Sequence, residues 1–238
     1  MLKIKHPLVK GKVKEIQPRI YCAIIDDDYD RAMLFCRHQE FYESPIKKFR
    51  GEYFTWMEYM RHYKDYWKKD TFTYPIDWSG YNIPSTVLEK SNDAFYKETE
   101  YDEIMNDIVF YCANDAMERN DGTRCDWYLI GASSKDVKTM NHEIAHALYF
   151  TNREYRMRVQ YQLSLIPKKT MDKIDKKLIK MGYVDDRKIL DDEANLETLI
   201  QDVIQTSEIE GEILNPELVR SSIATRLGLE YSGVEHSD

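Results

Sequence analysis

The residues of this 238-residue chain best suited to chemistry stand together at Asn141-His142-Glu143-Ile144-Ala145-His146-Ala147-Leu148-Tyr149. Two histidines four positions apart lie on one face of an α-helix, so their imidazoles can close on a single zinc ion. A glutamate beside the first histidine is placed to take a proton from water on that ion. Zinc lowers the pKa of such water toward about 7, giving a hydroxide-like nucleophile at neutral pH. Random ordering of this composition produces the H-E-x-x-H pattern roughly one time in a hundred. Context adds to it: Ile144, Ala147 and Leu148 form an apolar flank, and Ala145 and Ala147 are small enough for close packing near a metal. The bland alternative is a buried helix with two incidental histidines.

Catalytic zinc needs a third protein ligand and one open position. In the extended pattern H-E-x-x-H-x-x-G-x-x-H, the glycine and the third histidine would fall at Tyr149 and Asn152, so that pattern is not met. His6, His38, His62 and His236 have no ligand-like surroundings. A downstream acid remains, which would give a His2Glu site. The candidates cluster at Asp191-Asp192-Glu193, with Glu193 opening a helix and Glu197 one turn later. Each of these acids also reads as a helix cap or a solvated charge. Tyr149 and Tyr155 lie near enough in sequence to steady an oxyanion, and nothing chooses between them.

The motif requires a helix, expected from about 135 to 150 with Ser133 or Ser134 as its cap. The strand 127–133 before it could lie beside the site and bind an extended peptide by edge pairing. Upstream, 17–25 reads as a strand through Ile20, Tyr21, Ile24 and Ile25. Helix 29–42 follows, capped by Asp28 and ended by Pro45, and helix 54–67 comes next. Residues 71–88, with Pro75, Gly80 and Pro84, read as loop. Helix 101–117 has Ile104, Ile108, Val109, Cys112 and Met117 on its apolar side, and Asp121-Gly122 is a turn. A helix at 168–181 ends near Gly182. Beyond about 190 the aromatics vanish except Tyr231. Helix 195–208 precedes Gly211, and Asn215-Pro216-Glu217 starts a last helix that Gly228 stops.

Composition narrows the class. The chain is 42% hydrophobic and 32% charged, so it can bury a core. Its 34 basic against 42 acidic residues leave −8, which argues against nucleic acid as a partner. The lysines at 168, 169, 173, 176 and 177 are interleaved with acids and read as a solvated helix face. No apolar run approaches the roughly 20 residues of a membrane helix, and the start offers no signal-like stretch. A cytoplasmic protein is expected, with no membrane association. Cys22, Cys36, Cys112 and Cys125 form no CxxC pair and read as buried thiols.

The motif, with alanine after the second histidine and Asp-Asp-Glu downstream, resembles the gluzincin type of zincin metallopeptidase. It is most similar to uncharacterised phage-type zincin-like proteins. The shared segments are Tyr29-Asp-Arg-Ala-Met-Leu-Phe, Gln39-Glu-Phe-Tyr-Glu-Ser-Pro and Phe72-Thr-Tyr-Pro-Ile-Asp-Trp-Ser-Gly-Tyr-Asn-Ile-Pro-Ser, then the motif helix. The likeness covers roughly 15–193. In that pattern an Asp-Glu-x-Gln-Ala-Tyr stretch supplies a glutamate ligand; Asp192-Glu193 match it, and Asn195-Leu196-Glu197 follow instead of its end. The segment 194–238 is similar to the region before the catalytic core of Fic-type AMP-transferases. There an inhibitory helix reads Ser/Thr-x-x-x-Glu-Gly/Asn, and Thr206, Glu210 and Gly211 fit it. The Fic loop His-Pro-Phe-x-x-Gly-Asn-Gly-Arg does not occur in the chain.

The expected fold class is therefore α+β: a zincin-like domain over 1–190, with a small sheet and the motif helix, then an all-helical extension over 191–238. The expected function is zinc-dependent hydrolysis of a peptide or protein substrate, with His142, His146 and Glu193 as ligands and Glu143 as general base. The alternative is a catalytically silent zincin-like scaffold whose C-terminal helices bind a protein partner or regulate a Fic-type enzyme through Glu210.

Overall fold

The computed structural model describes residues 1–164, with Lys168 and Asp172 beyond them. The chain divides into two compact units, Met1–Arg153 and Glu154–Asp238. The expected domain boundary near 190 and the helices expected after 165 lie outside the described residues, save that Lys168 and Asp172 are helical.

The first unit is mixed α and β. Strands β1 (Leu2–Lys5), β2 (Lys10–Gln17) and β3 (Ile20–Ile24) are followed by helices α1 (Asp28–Glu43), α2 (Trp56–Trp67) and α3 (Tyr74–Asp77). Strand β4 (Tyr81–Pro84) leads directly into α4 (Ser85–Ala94), and α5 (Glu100–Arg119) precedes β5 (Tyr128–Ala132) and α6 (Val137–Thr151). Helix α7 (Arg153–Ser164) runs into the second unit. The sheet has the order β1-β2-β3-β5-β4, with β3 and β5 parallel and the other neighbours antiparallel.

The period-two pattern of a strand sorts side chains onto two faces. On one face Tyr21, Ala23, Tyr81, Ile83 and Leu129 join a large aromatic core with Phe35 of α1, Tyr59 and Tyr63 of α2 and Ile108 of α5. Gly131 belongs to this face, and a Cβ there would lie 2.5 Å from the Phe35 ring, so the helix approaches only because residue 131 has no side chain. On the other face Ile20, Cys22, Ile24, Tyr128, Ile130 and Ala132 pack against Ala147, with Met140, Ile144 and Leu148 of α6 around them. Both faces of β3 and β5 are thus covered, which explains their unbroken apolar runs. The helix carrying the motif is held by the sheet's second face.

Several expectations need correction. Asp27, not Asp28, caps α1, accepting from the Asp30 N–H. Asp136, not Ser133 or Ser134, caps α6; both serine hydroxyls are spent on Asp26. The stretch 71–88 is not loop but holds α3, β4 and the start of α4. Pro75 sits in the first turn of α3, and Pro84 ends the outermost strand and stands at the cap of α4. Those are positions where a missing N–H costs little. Met117 is 39% exposed, and Ala116 fills the buried position on α5 instead. The β1–β2 hairpin was not expected; its pattern of Leu2 and Ile4 between Lys3 and Lys5 is that of a half-buried strand. Cys22, Cys36 and Cys112 are buried thiols as expected, and Cys125 is half-buried. Among the described residues no helix is long and apolar enough to cross a membrane.

Candidate metal centre

Helix α6 begins where Asp136 accepts the Thr139 N–H at 3.0 Å. Met140, Ile144, Ala147 and Leu148 recur at helical spacing and face the sheet. That seating fixes the rotation of the helix and leaves His142, Glu143 and His146 on the adjoining flank. Glu143 and His146 are 5% and 8% exposed, and His142 is half-buried, so the cluster is mostly walled off but not sealed.

The two histidines converge. Their Nε2 atoms are 3.2 Å apart, with ring centroids separated by 4.9 Å and planes at 73°. Two zinc–nitrogen bonds of about 2.0–2.1 Å at a tetrahedral angle span about 3.3 Å. The pair is therefore spaced to hold one ion between its nitrogens. Ligand atoms of His142, Glu143 and His146 all lie within 4.8 Å of one another, and this is the group among the described residues that could hold a metal. Burial pushes His142 below the usual histidine range, favouring the neutral ring that donates a lone pair.

Glu143 is held by elements the motif does not include. Asn82 of β4 donates from Nδ2 to Glu143 Oε2 at 2.8 Å. The Tyr128 hydroxyl of β5 donates to Asn82 Oδ1 at 2.7 Å, and the Asn82 backbone N–H donates to Gln39 Oε1 of α1 at 3.2 Å. Gln39 in turn donates to Glu43. The other carboxylate oxygen lies against Gly80, where a Cβ would come within 2.2 Å of Oε1. Burial pushes the Glu143 carboxyl up from 4.5 to about 8; the Asn82 hydrogen bond opposes this and the negative Glu43 adds to it. A cation at the neighbouring rings would draw it down again.

Glu193, the expected third ligand, lies outside the described residues, as do Asp191, Asp192, Glu197, Thr206, Glu210 and Gly211. Tyr149 is buried on α6, and Tyr155 lies on α7. Strand β5 is not an edge, because β3 and β4 flank it. The edge on that side of the sheet is β4, and its N–H at Asn82 is engaged by Gln39. An extended peptide cannot pair there without displacing that side chain. Asn82 and Gly80 escaped the sequence reading because Gly80 and Pro84 marked their segment as loop, whereas Tyr128 lies on the expected strand and only its contact with Asn82 brings it to the site.

Residues 180–229 match a family model described as a domain of unknown function, DUF4172. No curated protein and no solved structure matches the chain.

Proposed function

We propose that the chain is a zinc-dependent hydrolase of the zincin type, acting on peptide bonds. The observation that carries this reading is the 3.2 Å approach of the His142 and His146 Nε2 atoms beside a buried carboxylate. Zinc, when bound, supplies the Lewis acidity that lets water act as a nucleophile near neutral pH. Glu143 takes one proton from the attacking water as its oxygen bonds to the carbonyl carbon. Glu143 then passes the proton to the departing amine nitrogen as the C–N bond breaks. Glu193, from the resemblance to gluzincins, is the proposed third ligand.

The test is elemental analysis beside a protease assay. Wild type should carry near-stoichiometric zinc, His142→Ala should lose it, and Glu143→Gln should keep it while hydrolysis disappears. A folded, metal-free wild type, or full hydrolysis by Glu143→Gln, overturns the proposal. The closed β4 edge favours a second reading, a zincin-like scaffold without turnover whose C-terminal helices bind a protein partner or act on a Fic-type enzyme through Glu210. Zinc retained with no hydrolysis of any peptide library would support it.

A further inference from the structure

A glutamate with a carboxylate oxygen within 4.8 Å of two converging imidazole nitrogens can itself serve as a ligand. Carboxylates bind zinc readily at about 2.0–2.2 Å. If Glu143 swung onto the ion, the open position would be filled and no base would remain. What prevents this is visible at both carboxylate oxygens. Oε2 accepts from Asn82 Nδ2 at 2.8 Å. Oε1 rests against the backbone at Gly80, which admits it only because residue 80 has no Cβ.

Asn82 is also fixed in the one amide orientation that serves. A carboxylate only accepts hydrogen bonds, so the NH2 group must face Glu143. The Tyr128 hydroxyl then donates to Oδ1 at 2.7 Å, and flipping the amide would break both bonds. The Asn82 backbone is tied to α1 through Gln39 and to β5 through strand pairing. Asn82 projects from the sheet face that α6 covers, because Tyr81 and Ile83 on either side of it point into the opposite core.

We propose that Asn82, oriented by Tyr128, is a positioning residue that keeps Glu143 out of the metal's ligand set. This rests on the metal-centre reading above. Its signature lies in coordination, so it can be read without a substrate. Cobalt(II) replaces zinc and reports ligand number and type through its visible absorption; zinc affinity is measured by competition with a chelator. In Asn82→Ala the freed carboxylate should join the ion, changing the cobalt spectrum and tightening zinc about tenfold, comparable in size and opposite in sign to the losses that outer-shell changes ordinarily produce. Glu143→Gln alone should leave the spectrum close to wild type. Adding Asn82→Ala to Glu143→Gln should then change neither spectrum nor affinity, because the responding group is gone. Tyr128→Phe, which only loosens the amide, should shift both readouts in the same direction by less, and serves if Asn82→Ala fails to fold. Unchanged spectrum and affinity in both Asn82→Ala and Tyr128→Phe overturn the positioning role while leaving the metal centre standing. A wild type that takes up neither ion removes the metal centre itself, and the positioning role falls with it.

Discussion

His38 is sealed between α1, α4 and α5, whereas His142 and His146 turn toward one another on the flank of α6. Around His38 the residue types look more catalytic than those of the motif. Its Nδ1 is 2.9 Å from the Ser91 hydroxyl, and Asp102 lies on the other side of the ring. Yet Ser91 is 0% exposed, and His38 Nε2 stands 3.8 Å from the Asp102 carboxylate with no hydrogen-bond partner. That separation is too long for a hydrogen bond. Asp102 instead pairs with Arg37 at 2.7 Å, and Arg37 also binds Glu98 and the Phe54 carbonyl while lying 4.0 Å over the Phe95 ring. No reactant can reach this cluster, so its polar groups join helices. The motif histidines have the opposite character: their nitrogens face each other at a spacing that suits an ion. Residue types alone do not separate the two; convergence and access do.

The largest effect should come from breaking the sealed cluster. Arg37→Ala removes the cation that pairs with Asp102 and Glu98 and leaves a carboxylate buried without its partner. Such a change costs about 3–5 kcal/mol. His142→Ala, at a half-buried position, should cost about 1 kcal/mol of metal-free stability and abolish metal binding. Urea unfolding with and without zinc measures both. An Arg37→Ala protein as stable as wild type would mean that the helices are joined by apolar packing alone.

Proton linkage sharpens the same contrast. Burial, helped by the positive Arg37, holds His38 down at about 3. Between about 6.5 and 3 the unfolded chain therefore binds a proton that the folded one refuses, and stability falls on acidification. Two residues further along α1, burial acts on Glu40 in the opposite sense, raising it from 4.5 to about 7. Between those values the folded state keeps a proton the unfolded state has released, so stability falls as pH rises. From about 4.5 to 6.5 the two slopes oppose each other. Glu40→Gln should leave stability rising with pH across that window, and His38→Asn should leave it falling. Denaturant midpoints at pH 4.5, 5.5 and 6.5 provide the check, and parallel curves for the two variants would refute it.

The motif and the α+β class were legible because a four-residue histidine spacing and strong helical periodicities are local signals. The caps of α1 and α6 were each misplaced by one to three residues, since several Asp or Ser stand side by side and only tertiary contacts decide among them. Asp26, drawn to Ser133 and Ser134 from a distant part of the chain, made that decision at α6. Strand β4 was hidden by its two breakers, and with it went Asn82 and Gly80. Their role depends on a sheet order that brings residue 82 beside residue 130, which no local pattern encodes. The zincin likeness and the Fic-like segment rest on sequence resemblance, and the DUF4172 match overlaps the latter without assigning it an activity.

The smallest stability effect should come from a glycine at the metal centre, set against one in the core. A Cβ at Gly131 would lie 2.5 and 2.7 Å from atoms of the Phe35 ring, which is locked between helix and sheet. Overpacking of that kind costs about 1–3 kcal/mol, and Gly131→Ala should fall at the upper end. At Gly80 the intruding methyl meets the Thr139 methyl and, closest of all, the end of the Glu143 side chain, which can turn aside at the cost of its Asn82 hydrogen bond. Gly80→Ala should therefore cost about 1 kcal/mol or less and leave the fold intact. Its consequence is chemical, because the carboxylate that moves is the proposed base. Thermal unfolding ranks the two variants, and a hydrolysis assay should find Gly80→Ala impaired at least tenfold while Gly131→Ala, corrected for the folded fraction, keeps its activity. Equal losses of activity in both would mean that Glu143 tolerates displacement and that its packing against residue 80 has no bearing on the reaction.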